Sequence, residues 1–71
     1  MKTKDFVKLV RAHARTAGEI FDIVENRGKG SHRMMRFGER WCSVPWNVAS
    51  IPLGTRRTIL KRLGIDPRLM R

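Results

Sequence analysis

The chain contains one cysteine, two histidines and only six acidic residues among its 71 positions. A single Cys42 excludes an internal disulfide, and one cysteine with two histidines is too few for a zinc ligand set. No apolar run approaches the roughly 20 residues that cross a bilayer. Lys8 and Arg11 interrupt the first apolar stretch, where a signal peptide would be uninterrupted. These absences predict a cytoplasmic protein with no metal site and no membrane segment.

The shortage of acidic residues leaves a formal net charge of +10, because there are 16 lysines and arginines. The excess is uneven: residues 26–71 hold eleven basic and two acidic residues. Arginine forks match phosphate geometry, and a basic surface recruits polyanions by releasing their counterions. The charge therefore favours RNA or DNA binding over the alternative of a ribosomal or merely adhesive protein.

The short chain also limits the architecture. Its 71 residues suffice for one domain, 1–71, with a small core. A large cofactor cleft does not fit, so we expect no cofactor and any chemistry on an open or shallow surface.

The first 17 residues have the apolar spacing of an amphipathic helix. The pattern predicts a helix from about Lys4 to Ala17, which Thr3 caps and Gly18 ends. The apolar side comprises Phe6, Leu9, Val10, Ala14 and Ala17. The opposite side carries a basic stripe of Lys4, Lys8, Arg11 and Arg15. This basic stripe is either a phosphate-binding ridge or an ordinary solvated face, and the helix alone leaves both open.

Three strands and a second helix are predicted after it. The strands are Glu19 to Glu25, His32 to Phe37 and Arg40 to Val44, separated by a loop at 26–31 and a type II′ turn at Gly38-Glu39. The first strand holds three of the six acidic residues and should lie away from an RNA backbone. The second helix runs from about Thr55 to Leu63, and Gly64 ends it. Residues 66–71 are predicted to be a flexible tail.

The hairpin register sorts the side chains of the second and third strands onto two faces. If Phe37 lies opposite Arg40, the more apolar face should pack on the helices. That face carries Arg33, Met35, Phe37, Arg40, Cys42 and Val44. The open face carries His32, Met34, Arg36, Trp41 and Ser43, with Arg36 positioned to stack on Trp41. A slip of one residue would exchange the two faces.

The order helix, three strands, helix predicts an α+β fold in two layers: a three-stranded antiparallel sheet with two helices on one face. This α-β-β-β-α order is that of the double-stranded-RNA-binding domain, which reads the shape of A-form RNA.

His32 is the candidate catalytic residue. RNA can be cleaved by its own 2′-hydroxyl, so the protein needs a general acid or base that titrates near neutrality and cations on the phosphate. The nearby candidates for phosphate binding are Lys29, Gly30, Ser31, Arg33 and Arg36, together with the basic stripe. Ser31 either orients the substrate or caps the strand. His13 lies on the apolar side of the first helix and is expected to be packed. A histidine at the start of a strand is also often only a polar strand residue.

Several segments resemble the HicA (YcfA-like) toxin family in order and spacing, over almost the whole chain to Ile65. They are Gly30-Ser31-His32 entering a strand, Val44-Pro45 ending a hairpin, Ile51-Pro52-Leu53-Gly54-Thr55, and Ile59-Leu60-Lys61-Arg62-Leu63-Gly64-Ile65. The resemblance implies the double-stranded-RNA-binding fold and an mRNA-cleaving endoribonuclease of a type II toxin–antitoxin system. It also implies that His32 is essential and that a HicB-type antitoxin covers the site.

The chain departs from many members of that family. Arg33 stands where they have a second histidine, Trp46 follows Val44-Pro45 where histidine or arginine is common, and the segment from Thr16 to Arg27 is longer. Of the histidines common in that family, this chain therefore has only the essential one, His32. The hypothesis is a metal-independent endoribonuclease with His32 as general acid/base. The alternative is a non-catalytic RNA-binding module, and a third interpretation, a basic surface for an acidic protein partner, is compatible with the first.

Overall fold

The predicted α-β-β-β-α order is present in the computed structural model, which describes residues 1–25, 32–46 and 48–70, with backbone only at 69 and 70. The elements are α1 (Thr3–Ala17), β1 (Phe21–Glu25), β2 (His32–Phe37), β3 (Arg40–Pro45) and α2 (Leu53–Arg62). A short 3-10 helix, Pro67–Met70, follows. The α+β class is therefore confirmed.

The three strands form one antiparallel sheet in the order β1-β2-β3. The register pairs Phe37 with Arg40 and Arg36 with Trp41, as the hairpin predicted. Gly38 begins the connecting turn with φ +64°, the sign that a type II′ turn requires at this position. The faces of the sheet are consequently those assigned from the sequence.

One face of the sheet is buried under both helices, and the other is open. Met35 and Val44 are fully buried on the covered face, whereas His32, Trp41 and Ser43 are exposed on the open one. The buried core includes Phe6, Val7, Val10, Ala14, Met35, Phe37, Cys42, Val44, Ile51, Ile59, Leu60, Leu63 and Ile65. Because α1, the sheet and α2 all contribute side chains to this core, it lies between the covered face and the helices. The open face remains accessible to solvent.

The buried side of α1 differs from the predicted one. Thr3 and Val7 are buried, while Leu9 is only half-buried and Ala17 is exposed. The buried arc is thus rotated by roughly 40° about the helix axis, at 100° per residue. Packing against the sheet, and not the apolar pattern alone, decides which side of the helix is buried.

Thr3 is not the helix cap, so that prediction is wrong. Lys2 is the N-cap and makes no side-chain capping hydrogen bond. Thr3 lies inside the helix, and its hydroxyl donates to the Pro45 carbonyl at 3.4 Å. Its hydroxyl therefore links the start of α1 to the end of β3. Gly18 ends the helix in the left-handed region at φ +71°, as predicted.

Two other element boundaries shift for local reasons. β1 begins at Phe21, not Glu19, because the Glu19 N–H donates to the Ala14 carbonyl at 2.8 Å and so completes the helix end. α2 begins at Leu53, two residues early, since the Arg56 N–H already donates to the Pro52 carbonyl at 3.0 Å. Both boundaries depend on main-chain hydrogen bonds across the element ends.

The predicted tail contains the 3-10 helix, Pro67–Met70. The Asp66 carboxylate accepts hydrogen bonds from the backbone and guanidinium of Arg68, and these bonds lower the pKa of Asp66. That 66–71 is flexible stays a prediction. Among the described residues, no helix has the length and apolar character needed to cross a bilayer.

Replacing Gly38 with alanine should destabilise the protein by about 1–2 kcal/mol, because the left-handed backbone strains an L-residue. The new Cβ would also lie 2.6 Å from Oε2 of Glu19. Gly54→Ala is the matched control: Gly54 lies in α2 and its Cβ would meet nothing within 4 Å. That change should leave stability unchanged or raise it by up to about 1 kcal/mol. Urea unfolding measures both, and equal losses would contradict the turn assignment.

Candidate functional site

His32 is the first residue of β2 and is exposed on the open face, opposite Pro45 of β3. It contributes to a groove of about 250 Å³ between β3 and α2. We call this the His32 groove. Its polar lining residues are His32, Ser43, Thr55, Thr58 and Arg62. The structure therefore places the candidate histidine beside the second helix.

Helical spacing explains why α2 presents these residues together. Thr55, Thr58 and Arg62 are three and four positions apart, so they form one side of the helix. Ile59 lies on the same side and is 3% exposed, which anchors α2 against the core. The Thr58 hydroxyl donates to the Gly54 carbonyl at 3.0 Å. The groove wall is thus a regular helical surface held by a buried residue.

Cys42 lines the groove with a buried side chain, an environment that disfavours a nucleophilic thiolate. Burial raises the pKa of its thiol, and the positive charge of Arg62 partly opposes this increase. The thiol donates to the Ser43 carbonyl at 3.5 Å. A neutral, buried thiol is unreactive, in agreement with the placement of Cys42 on the covered face.

Arg36, one of the predicted phosphate-binding residues, shares the open face with His32. Its guanidinium carbon lies 5.7 Å from the centroid of the Trp41 ring, which confirms the predicted stacking. Its Nε donates to the Gly38 carbonyl at 2.6 Å. Arg36 lies four residue steps along β2 from His32, or about 13 Å at 3.3 Å per residue. Arg36 therefore lies toward the far end of the open face.

Arg33 follows His32 in sequence but points to the other face of the sheet. Its guanidinium carbon lies 4.4 Å from the centroid of the Trp46 ring, and its Nη2 lies 3.5 Å from Oε1 of Glu25. These contacts hold the side chain on the covered side of the sheet. The structure thus separates Arg33 from His32, although the two residues are adjacent.

The basic stripe is exposed, as predicted. All of its residues are exposed: Lys4, Lys8, Arg11 and Arg15. The guanidinium carbon of Arg11 lies 5.3 Å from the Phe21 ring centroid. Because α1 packs on the covered face, the stripe belongs to that side of the sheet and not to the open face, and Arg11 reaches β1. Lys29, Gly30 and Ser31 lie outside the described residues.

His13 is half-buried and stacks on Phe37, with ring centroids 5.7 Å apart and an interplanar angle of 20°. The prediction that His13 is a packed residue is confirmed. Of the two histidines in the chain, His32 is the more exposed to solvent. Among the described residues, no group of three or more His, Cys, Asp or Glu side chains could hold a metal ion.

Comparisons of the chain with models of protein families, with curated proteins and with solved structures give no match. The site is therefore interpreted from its geometry. Sequence reasoning did not assign Ser43, Thr55, Thr58 or Arg62 to it. The spacing of Thr55, Thr58 and Arg62 on one helical side was a usable signal, but only the packing of α2 beside β3 turns that side toward His32.

Proposed function

We propose that this chain is a metal-independent endoribonuclease of the HicA type, an mRNA-cleaving toxin with His32 as general acid/base. The observation that carries the proposal is an exposed histidine in a groove that also contains Arg62, in a chain of net charge +10. Histidine supplies proton transfer near neutral pH, and arginine supplies positive charge to a phosphate. The α-β-β-β-α order, which the double-stranded-RNA-binding domain shares, supports an RNA substrate.

The proposed reaction uses the 2′-hydroxyl of the substrate as nucleophile. The 2′-oxygen forms a bond to phosphorus while the bond from phosphorus to the 5′-oxygen breaks. The 2′-hydroxyl loses a proton and the departing 5′-oxygen gains one. His32 carries out one of these transfers, and water takes part in the other. The products are a 2′,3′-cyclic phosphate and a 5′-hydroxyl, and no metal-bound water is required.

A HicB-type antitoxin is the proposed protein partner, and the open face has the character of a surface that a partner covers. Val24 and Trp41 lie on this face and are 43% and 44% exposed. Apolar side chains of this size favour burial against another protein. Acidic residues of the antitoxin would meet Arg36 on the same face and Arg62 in the His32 groove, and so exclude the RNA phosphates.

The test is incubation of the purified protein with a defined mRNA in excess EDTA. Cleavage should persist in the chelator, because proton transfer by His32 needs no metal. The products should carry 2′,3′-cyclic phosphate and 5′-hydroxyl ends, which end-labelling and mass spectrometry identify. Loss of cleavage in EDTA that returns with Mg²⁺, or 5′-phosphate ends, would exclude this mechanism.

The alternative is a non-catalytic RNA-binding module, which the net charge of +10 also favours. A module of this kind binds RNA with an affinity that falls steeply as salt rises, but leaves the RNA intact. Full-length RNA recovered after prolonged incubation at saturating protein would favour it over the nuclease.

A further inference from the structure

We propose that the His32 groove is a phosphodiester site, in which Arg62 binds the phosphate that is cleaved and the Thr58 hydroxyl accepts a hydrogen bond from a ribose hydroxyl. The inference rests on the proposed function and assigns two further residues to it. Neither residue was a candidate from the sequence. The argument depends on what lines the groove and on what holds the other arginines away from it.

Arg62 and His32 line the same groove from different elements. His32 comes from the start of β2, and Arg62 from the last turn of α2. Arg62 is exposed and lines the groove, so a ligand that lies in the groove can contact it. A phosphate between the two elements would thus meet a proton-transfer group on one side and a fixed positive charge on the other.

The three arginines of the sheet lie outside the His32 groove, and Arg40 of β3 lines a separate groove with Glu19 and Gly64. Arg33 contacts Trp46 and Glu25 on the covered side, and Arg36 stacks on Trp41 at the far end of the open face. The basic stripe belongs to α1, and none of its residues lines the His32 groove. Within residues 1–25, 32–46 and 48–68, Arg62 is therefore the cationic side chain that lines the groove together with His32.

The charge of Arg62 already acts inside the groove. It lowers the pKa of the Cys42 thiol against the larger effect of burial, and Cys42 lies on β3, across from α2. Arg62 and Cys42 line the same groove, so the guanidinium is also positioned to act on an anion bound there. A cation on the phosphate stabilises the negative charge that develops during attack by the 2′-oxygen.

Thr58 is arranged as an acceptor. Its hydroxyl proton is donated to the Gly54 carbonyl at 3.0 Å, so the oxygen presents lone pairs to the groove. The 2′-hydroxyl of a ribose in an RNA strand can donate to those lone pairs, whereas a DNA strand has no 2′-hydroxyl. Thr58 would in this way favour RNA over DNA in a groove whose cation binds the phosphate of either.

The decisive variant is Arg62→Gln, with Lys61→Gln as its matched control. Both residues lie in the last turn of α2, are exposed and carry one positive charge, so both removals change net charge and helix-end electrostatics equally. Lys61, however, lines a different groove, between α2, the start of α1 and the 3-10 helix. A difference in RNA cleavage between the two variants therefore reports the contribution of Arg62 to the His32 groove.

We expect Arg62→Gln to reduce kcat for RNA cleavage by about 10²- to 10³-fold, with a smaller change in KM. Arg62→Lys should recover part of the loss, and Lys61→Gln should stay within about threefold of the parent. Thr58→Val, which keeps the shape and removes the hydroxyl, should weaken binding of RNA but not of DNA. Equal losses in Arg62→Gln and Lys61→Gln, or parental cleavage by Arg62→Gln, would overturn the proposal.

A binding experiment separates this proposal from the nuclease itself. A dinucleotide with a 2′-O-methyl group at the cleavable linkage cannot react, and its titration can be followed by the NMR signals of Thr58 and His32. Shifts at these residues that Arg62→Gln abolishes would support the phosphodiester site even in a protein that fails to cleave. Absence of such shifts in a parent protein that does cleave would refute the site and leave the nuclease standing.

Discussion

Replacing His32 with alanine should lower the rate of RNA cleavage by about 10²- to 10⁴-fold, the usual contribution of a general acid or base. The imidazole is exposed at the groove, and the chain has only one other histidine, His13. His13 stacks on Phe37 on the covered side of the sheet and cannot substitute for it. The rate should be measured in single turnover at saturating protein, so that weaker RNA binding does not imitate a chemical defect.

Two variants make this result specific. His13→Phe retains a ring on Phe37 while removing the other titratable imidazole, and it should cleave at close to the parental rate. His32→Gln retains hydrogen bonding without proton transfer near neutrality, and it should be as impaired as His32→Ala. A His32→Ala protein that is folded and cleaves like the parent would eliminate His32 as the acid/base and favour the RNA-binding module.

Replacing Phe6 with alanine should reduce the free energy of unfolding by about 3–5 kcal/mol. Phe6 is 1% exposed and lies in the core between α1 and the rest of the domain. A 71-residue chain has a total stability of about 4–11 kcal/mol, at 0.05–0.15 kcal/mol per residue. This one substitution should therefore remove a large part of that stability. Alanine is the better helix former, so the loss would come from packing and not from helix propensity.

Leu9→Ala is the matched control, because Leu9 is on the same helix but only half-buried. Its cost should be clearly smaller than that of Phe6→Ala when both are measured by urea unfolding. Equal costs would mean that α1 packs with the side predicted from the apolar pattern, which places both residues on one buried side. The comparison thus tests the rotation of α1 as well as the core.

The element order and the faces of the sheet were predictable because their causes are local. Alternating side chains determine which strand residues share a face once the turn at Gly38 sets the register. His32 and Trp41 could for this reason be placed on the open face from the sequence. The N-cap and the rotation of α1 were not predictable, because Thr3 is buried and its hydroxyl donates to the carbonyl of Pro45, which is distant in sequence.

The proposed site likewise has one part that the sequence predicted and one part that only the tertiary structure shows. The sequence by itself determined a basic, one-domain α+β chain, the register of its hairpin and the place of His32 on the open face. These features follow from composition, strand alternation and turn chemistry, which act over a few residues. Only the tertiary structure decided which cations accompany that histidine. Neighbouring residues in a strand point to opposite faces, so the Arg33 side chain lies on the other side of the sheet from His32. Packing of α2 beside β3 brings in Thr58 and Arg62 from about 30 positions along the chain, a proximity that no local pattern encodes.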